Sequence, residues 1–123
     1  MEKSKKIEKY WDSRSVLVTG GNGYLGVEII KTLIDEGANI VSFDKGGSLH
    51  SLLKSIKEKI EYISIDLSDN DALSRILKEN SFNTCFHLAG YSNIAEAKKN
   101  PLDAFQANVY SVCNLLEAFR RSN

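Results

Sequence analysis

The segment Thr19-Gly20-Gly21-Asn22-Gly23-Tyr24-Leu25-Gly26 follows the apolar run Val16-Leu17-Val18 and leads straight into a helical pattern. Few folds accept a strand that ends in this many glycines and restarts as a helix. Gly20, Gly23 and Gly26 read as G-x-x-G-x-x-G, and Gly21, Gly23 and Gly26 read as G-x-G-x-x-G. Either spacing makes a turn that needs positive φ, and the missing Cβ atoms let another group approach the backbone. The N–H groups and dipole at the head of the following helix then favour negative charge, as a pyrophosphate would supply. Taken alone, the glycines describe a tight strand-to-helix turn equally well. Their place between a strand and an amphipathic helix, with an acid ending the next strand, points to a dinucleotide-binding βαβ unit.

The remainder of the chain alternates strand and helix, which predicts a parallel sheet covered on both faces. Strands are expected at 15–19, 39–43 closing on Asp44, 60–65 ending at Asp66, and 84–88. The first helix should span 24–36, with Leu25, Ile29, Leu33 and Ile34 as its apolar stripe and Gly37 as its left-handed stop. After a Lys45-Gly46-Gly47-Ser48 loop, Leu49, Leu52, Leu53 and Ile56 suggest a short helical stretch. Ser68 with Asp71 resembles a capping box for a helix ending near Glu79. Strand four should be fully buried. Beyond Asn100-Pro101 the longest helix, 102–121, repeats Leu102, Phe105, Val109, Val112, Leu116 and Phe119 at helical spacing. Right-handed crossovers give the strand order 3-2-1-4, an incomplete Rossmann-type doubly wound α/β sheet whose fourth strand leaves an edge to be covered.

Asp44 stands 18 residues beyond Gly26, at the carboxyl end of strand two. A carboxylate there can accept hydrogen bonds from both hydroxyls of an adenosine ribose and repels a 2′-phosphate, which favours NAD over NADP. The adjacent Lys45 works the other way. Asp66 ends strand three on the same sheet edge, where it can accept from an adenine amino group while Leu67 packs on the ring; a plain helix-leading acid is the alternative. His87-Leu88-Ala89-Gly90 ends strand four. Its small residues let the backbone lie along a cofactor, and His87 reads as structural. Asn108, a poor helix former in an apolar neighbourhood, either ties strand four to the next strand or positions the cofactor.

Thr19-Gly20-x-x-Gly23-x-x-Gly26, Asp44, Asp66-Leu67, His87-Leu88-Ala89-Gly90, Asn108-Val109 and Asn114-Leu115-Leu116-Glu117-Ala118 together resemble the extended short-chain dehydrogenase/reductases. More narrowly the set is similar to the NAD-dependent nucleotide-sugar epimerases and dehydratases, and it covers about residues 14 to 121. The resemblance implies a tightly held NAD that transiently oxidises a sugar at C4. It assigns cofactor contacts to Gly20, Gly23, Tyr24, Leu25, Gly26, Asp44, Lys45, Asp66, Leu67, Leu88, Ala89, Gly90 and Asn108. It also implies a nucleotide-sugar substrate for the full-length protein and a homodimer paired through helix 102–121. Tyr10-Trp11 resembles a feature of sugar-nucleotide 4,6-dehydratases, though an aromatic plug under the sheet explains it as well.

Two departures from the family pattern stand out. Gly90 occupies a position that is usually Ala. The family's Tyr-x-x-x-Lys pair, in which lysine lowers the tyrosine pKa so that it can act as a base, is missing. None of Tyr10, Tyr24, Tyr62, Tyr91 and Tyr110 has a lysine four positions on. The expectation is therefore a cofactor-binding amino-terminal part of a longer enzyme, without catalytic residues of its own. A stand-alone dinucleotide-binding or sensing module is the alternative.

Composition narrows the partners. Sixteen basic residues balance sixteen acidic ones, so no global field draws in nucleic acid or an anionic membrane. No apolar stretch approaches the roughly 18 residues of a membrane span, and the first fourteen residues, rich in Lys and Glu, carry no signal-like apolar core. A cytoplasmic protein is expected, with residues 1–14 as an extension and 15–123 as one domain. Cys85 and Cys113 should be buried free thiols. His50 and His87 lack partners at ligand spacing, so no metal site is expected.

Overall fold

The computed structural model describes residues 9–122; of the expected amino-terminal extension, residues 1–8 lie outside them. Four parallel strands carry the fold: β1 (Ser15–Thr19), β2 (Asn39–Asp44), β3 (Ile60–Ser64) and β4 (Thr84–His87). They lie in the order β3-β2-β1-β4, as the alternating pattern predicts. Register runs evenly, with Val16 beside Ile40 and Thr84, and Thr19 beside Phe43 and His87. All four strands therefore end at one edge, where the acids and glycines gather.

Alternation along β1 divides the core. Val16 and Val18 face one side of the sheet, where they pack with Val27, Ile30, Leu33 and Ile34 of α1 (Tyr24–Asp35). Leu53, from the 3-10 turns at Ser51–Lys59, closes that layer. Leu17 faces the other side and meets Leu73 and Leu77 of α2 (Asn70–Glu79), together with Leu115 and Ala118 of α5 (Ser111–Ser122). β1 is buried on both faces because helices cover both, as a parallel sheet requires.

Several local expectations are corrected. The buried face of α1 is Gly26, Val27, Ile30, Leu33 and Ile34, while Leu25 is exposed. Gly26 causes this: a Cβ there would collide with Gly20 O, so the helix is rotated to set its bare position against the turn. α2 is capped by Asp69, whose Oδ1 accepts from Ala72 N–H at 3.0 Å; Ser68 bonds to Asp66 instead. Gly37 does end the α1 segment with φ +90°. β4 is half-buried because only β1 pairs with it among the described residues. A short helix not anticipated from sequence, α3 (Ile94–Lys99), is capped by Asn93. Its six residues are too few to show a period, and none is buried.

The long helix is also different from the expectation. α4 (Pro101–Phe105) runs into α5 through a π turn, Gln106–Tyr110, in which Ser111 N–H donates to Gln106 O. A π turn holds an extra residue, so an apolar stripe counted at 3.6 residues per turn changes face across it. The sheet side is taken by Ser111, Leu115 and Ala118, while Leu102, Phe105, Val109 and Leu116 point to solvent. Cys113 on the same helix is exposed and Cys85 half-buried, which corrects the expectation of two buried thiols.

Leu17→Ala tests the two-sided core. The side chain is fully buried, and its loss should destabilise the fold by about 3–5 kcal/mol, measured as a lower urea midpoint at unchanged slope.

Candidate functional site

A cleft of about 620 Å³ opens at the carboxyl edge of the sheet. It lies above β1 and β4, where the strand order reverses and ligands of open α/β sheets bind. Thr19, Gly20 and Gly23 form its floor. Asp44, Lys45, Asp66 and Leu67 stand on one side, and Leu88, Ala89 and Gly90 on the other. α4, the π turn and the start of α5 close the third side with Asp103, Gln106, Ala107 and Ser111.

The glycines of the turn have different tasks. Gly20 has φ +71°, and a Cβ there would lie 2.7 Å from Ala89 N. At Gly21 a Cβ would fall on Ser42 Oγ, and at Gly26 on Gly20 O. Protein packing therefore demands these three. Gly23 alone is exposed to the cleft, and a methyl group added there would meet only Gly20 O, at 3.2 Å. It is also the N-cap of α1, so no side chain caps that helix, and no acidic residue sits in its first turn. The first N–H groups of any helix lack intrahelical acceptors. Here those of Tyr24, Leu25 and Gly26 have no side-chain cap to satisfy them, the arrangement at which anions bind helix N-termini in general.

The side chains of Tyr24 and Leu25 themselves stand outside the cleft, that of Tyr24 being 93% exposed. The contribution of these two positions is confined to backbone. Gly26 is buried beneath the turn.

Asp44 is half-buried at the end of β2. Its Oδ2 accepts from Asn22 N–H at 2.9 Å and its Oδ1 from Lys45 N–H at 2.8 Å. A carboxylate offers about four acceptor positions, so two remain for hydroxyl groups in the cleft. Asp66 is more heavily engaged. Oδ1 accepts from Ser68 N–H (3.0 Å) and Ser68 Oγ–H (2.8 Å), while Oδ2 pairs with Lys45 Nζ at 2.9 Å. The Ser68 N–H foremost, then the Lys45 ammonium and the Ser68 hydroxyl, hold its carboxyl down to about 2. Any adenine amino group at Asp66 must share Oδ2 with Lys45. Leu67 is buried in the core, presents an edge to the cleft, and is anchored where Asn114 Nδ2 donates to its carbonyl at 3.1 Å.

His87 accounts for itself structurally. Its Nδ1 lies 2.6 Å from Thr19 Oγ1, which also accepts from Ala89 N–H at 3.2 Å. Burial lowers the His87 pKa. Thr19 is fully buried, and its hydroxyl shares a hydrogen bond with the ring nitrogen of His87. This unit joins the floor of the cleft to its β4 wall.

Asn108 is exposed and lies outside the cleft wall, contrary to the buried position expected for it. Its Oδ1 accepts from Tyr91 N–H at 2.6 Å and its Nδ2 donates to Tyr91 O at 3.1 Å. It therefore ties the loop after β4 to the helix, a pairing different from the strand-to-strand tie considered for it. A Cβ on Gly90 would come within 2.7 Å of Asn108 Oδ1, so this pairing also explains the glycine that departs from the family pattern.

Phe43, Ile65, Ser68, Tyr91, Ser92, Asp103, Gln106, Ala107 and Ser111 complete the walls, and sequence reasoning does not single them out. Ser68 has a detectable signal, since an acid two residues before a serine favours a local turn of this kind. Those on the helix have none, because the π turn decides which face meets the cleft. Among the described residues no three His, Cys, Asp or Glu side chains form a metal-binding group, and no helix is long and apolar enough to cross a membrane.

The engagement of Asp66 has a measurable consequence. In a carboxyl NMR titration Asp66 should remain ionised until the pH falls to about 2. Lys45→Ala should raise that midpoint towards the ordinary carboxylate range; an unchanged midpoint would dissolve the ion pair.

A family model described as GDP-mannose 4,6 dehydratase matches residues 17–123. The UDP-glucose 4-epimerase of Pongo abelii is 33% identical over 119 residues, covering 88% of this chain and 34% of that protein. The chain thus spans about a third of the length of the curated relatives it matches. An epimerase structure from Methanothermobacter thermautotrophicus superposes with a TM-score of 0.82 at 29% identity, covering 94% of this chain and 34% of that one. A UDP-glucose 4-epimerase from Bifidobacterium longum, solved with NAD+ and UDP, shares the fold at a TM-score of 0.79 and 24% identity, covering 89% of this chain and 34% of that one.

Proposed function

The chain belongs to the GDP-mannose 4,6 dehydratase family, within the nucleotide-sugar epimerases and dehydratases of the extended short-chain dehydrogenase/reductases, and from that premise we propose that its cleft holds NAD for such a reaction. One observation carries the reading. Gly23 opens the uncapped head of α1 to the cleft while Asp44 keeps two acceptor positions free beside it.

A dinucleotide fits this arrangement. Its pyrophosphate is matched by the first-turn N–H groups of α1, where a Cβ at position 23 would fill the cradle. Its adenosine ribose is matched by the Asp44 carboxylate, and its adenine by the side formed by Asp66, Leu67 and Ser68. Leu88, Ala89 and Gly90 give the other half of the molecule a wall of small side chains and backbone. When bound, the nicotinamide supplies reversible oxidation of the sugar at C4. The part performed by this chain's own residues is binding and orientation, since none of its tyrosines carries the family's lysine partner four positions on. The sugar nucleotide and the base that serves its C4 hydroxyl belong to the whole protein.

Gly23→Val should abolish NAD+ binding in calorimetry while leaving the circular dichroism spectrum intact. Asp44→Ala should weaken it by about 1–3 kcal/mol, the value of a lost charge-assisted hydrogen bond. Wild-type affinity in both variants would remove the site.

The exposed apolar face of the long helix supports a homodimer. Leu102 is 82% exposed, Leu116 64% and Phe105 54%, and all three lie on one helical rod beside Val109 and Tyr110. Exposed apolar side chains gathered on one helix favour association when they form a shared patch. Light scattering should give a dimer, and Leu102→Glu with Leu116→Glu should give a monomer; a monomer without substitution would overturn the assignment.

A further inference from the structure

Asn22 occupies a variable position of the glycine turn, and its side chain takes no part in the site described above. That side chain is nevertheless fully committed. Its Nδ2 donates to Ser48 O at 3.0 Å and to Tyr62 Oη at 3.3 Å, and its Oδ1 accepts from His50 N–H at 2.8 Å. Tyr62 Oη in turn donates to Gly46 O at 3.1 Å, and Gly46 N–H donates to Ser64 Oγ at 3.0 Å. The loop 45–50 is thereby fastened near both of its ends, to the glycine turn through Asn22 and to β3 through Tyr62 and Ser64.

Lys45 is the first residue of that loop and the one Lys or Arg among the described residues that line the cleft. Its Nζ rests on Asp66 Oδ2 at 2.9 Å, in a largely exposed pair. An exposed ion pair on a flexible side chain is weak by itself, so this contact alone does not hold the ammonium in place. The alternative location is significant. Lys45 adjoins Asp44, the expected ribose partner, and a cation at the ribose 2′ position is what accommodates the extra phosphate of NADP.

We propose that Asn22 is a specificity-determining positioning residue: by pinning loop 45–50 it commits Lys45 to Asp66, withholds it from the ribose 2′ position, and so makes the site selective for NAD over NADP. This inference rests on the reading of the cleft as a dinucleotide site. Asn22 acts through Lys45 and is not among the residues that line the cleft. Its backbone N–H, which holds Asp44, is kept in each of the substitutions used below.

The test is calorimetric titration of the full protein with NAD+ and with NADP+. Asn22→Ala should narrow the preference for NAD+ at least tenfold, with NADP+ binding tightened as the loop releases Lys45. Adding Lys45→Ala to Asn22→Ala should remove the gain in NADP+ affinity. Tyr62→Phe, which keeps the bulk and loses the donor to Gly46 O, should shift the preference in the same direction, and it decides the matter if Asn22→Ala does not fold. Equal weakening of both nucleotides would make Asn22 merely structural and overturn the proposal. A gain in NADP+ affinity that survives Lys45→Ala would overturn it too. Failure of the unsubstituted protein to bind either nucleotide would instead overturn the dinucleotide reading itself, and this inference with it.

Discussion

The structure depends on how closely the glycine turn is pressed against its neighbours. Gly20 lies against the backbone of Ala89, Gly21 against the side chain of Ser42, and Gly26 against the carbonyl of Gly20. Gly20 N–H donates to Phe43 O at 2.8 Å, and Leu88 N–H donates to Thr19 O at 3.0 Å, so the turn is tied to β2 and to the exit of β4. These contacts fix three things at once. They seat the head of α1 at the sheet edge, they set the rotation of α1, and they bring the β4 exit to within reach of the cleft floor. A methyl group at any of the three glycines would disturb all of them. The part of the turn left open to the cleft is therefore a small remainder, essentially Gly23 and the N–H groups behind it, of a motif held together by packing.

That division explains which features are legible in the sequence and which are not. The strands and their order are legible because short apolar runs alternating with helices admit one economical right-handed arrangement. Asp44 is legible because the end of a strand fixes where its next side chain goes. The buried face of α1 is not, since periodicity alone leaves the rotation open and the Gly26–Gly20 contact sets it. The same holds for the long helix, where one π turn moves an apolar stripe from the expected core to the surface. Pairings between distant loops are equally hidden. The sequence sets Lys45 beside Asp44, yet its partner is Asp66 across the cleft edge. An apolar neighbourhood in sequence suggests burial for Asn108, which serves instead as a clasp on Tyr91.

The charges in the cleft are arranged to compensate locally. Asp44, Asp66 and Asp103 line it, with Lys45 as their counterion among the described residues. Carboxylates alone would make poor walls for an anionic ligand. Asp66 is already balanced by Lys45 and by the two donors of Ser68, which leaves Asp44 as a carboxylate without a cationic partner among the described residues. The positive contribution comes from the uncapped head of α1, a partial charge carried by backbone and confined to the first turn. A ligand anionic at its centre and rich in hydroxyls at its end matches that distribution, whereas a ligand carrying a further phosphate at the ribose end does not.

The helical rod 101–122 separates two environments over its first half and joins the core over its second. Asp103, Gln106, Ala107 and Ser111 face the cleft. The step from Gln106 to Ser111 crosses the π turn, and the extra residue held there is what returns Ser111 to the face that Gln106 shares. Ser111 Oγ–H donates back to Gln106 O at 3.3 Å, a second bond to the carbonyl that already accepts from Ser111 N–H. Beyond it, Leu115 and Ala118 seat α5 on α2 and the sheet. The outward side carries Leu102, Phe105, Val109 and Leu116. Closing the cleft and carrying exposed apolar side chains thus fall to opposite faces of one helix. The extra residue of the π turn lets the sequence meet both, because it allows the two halves of the rod to be phased independently.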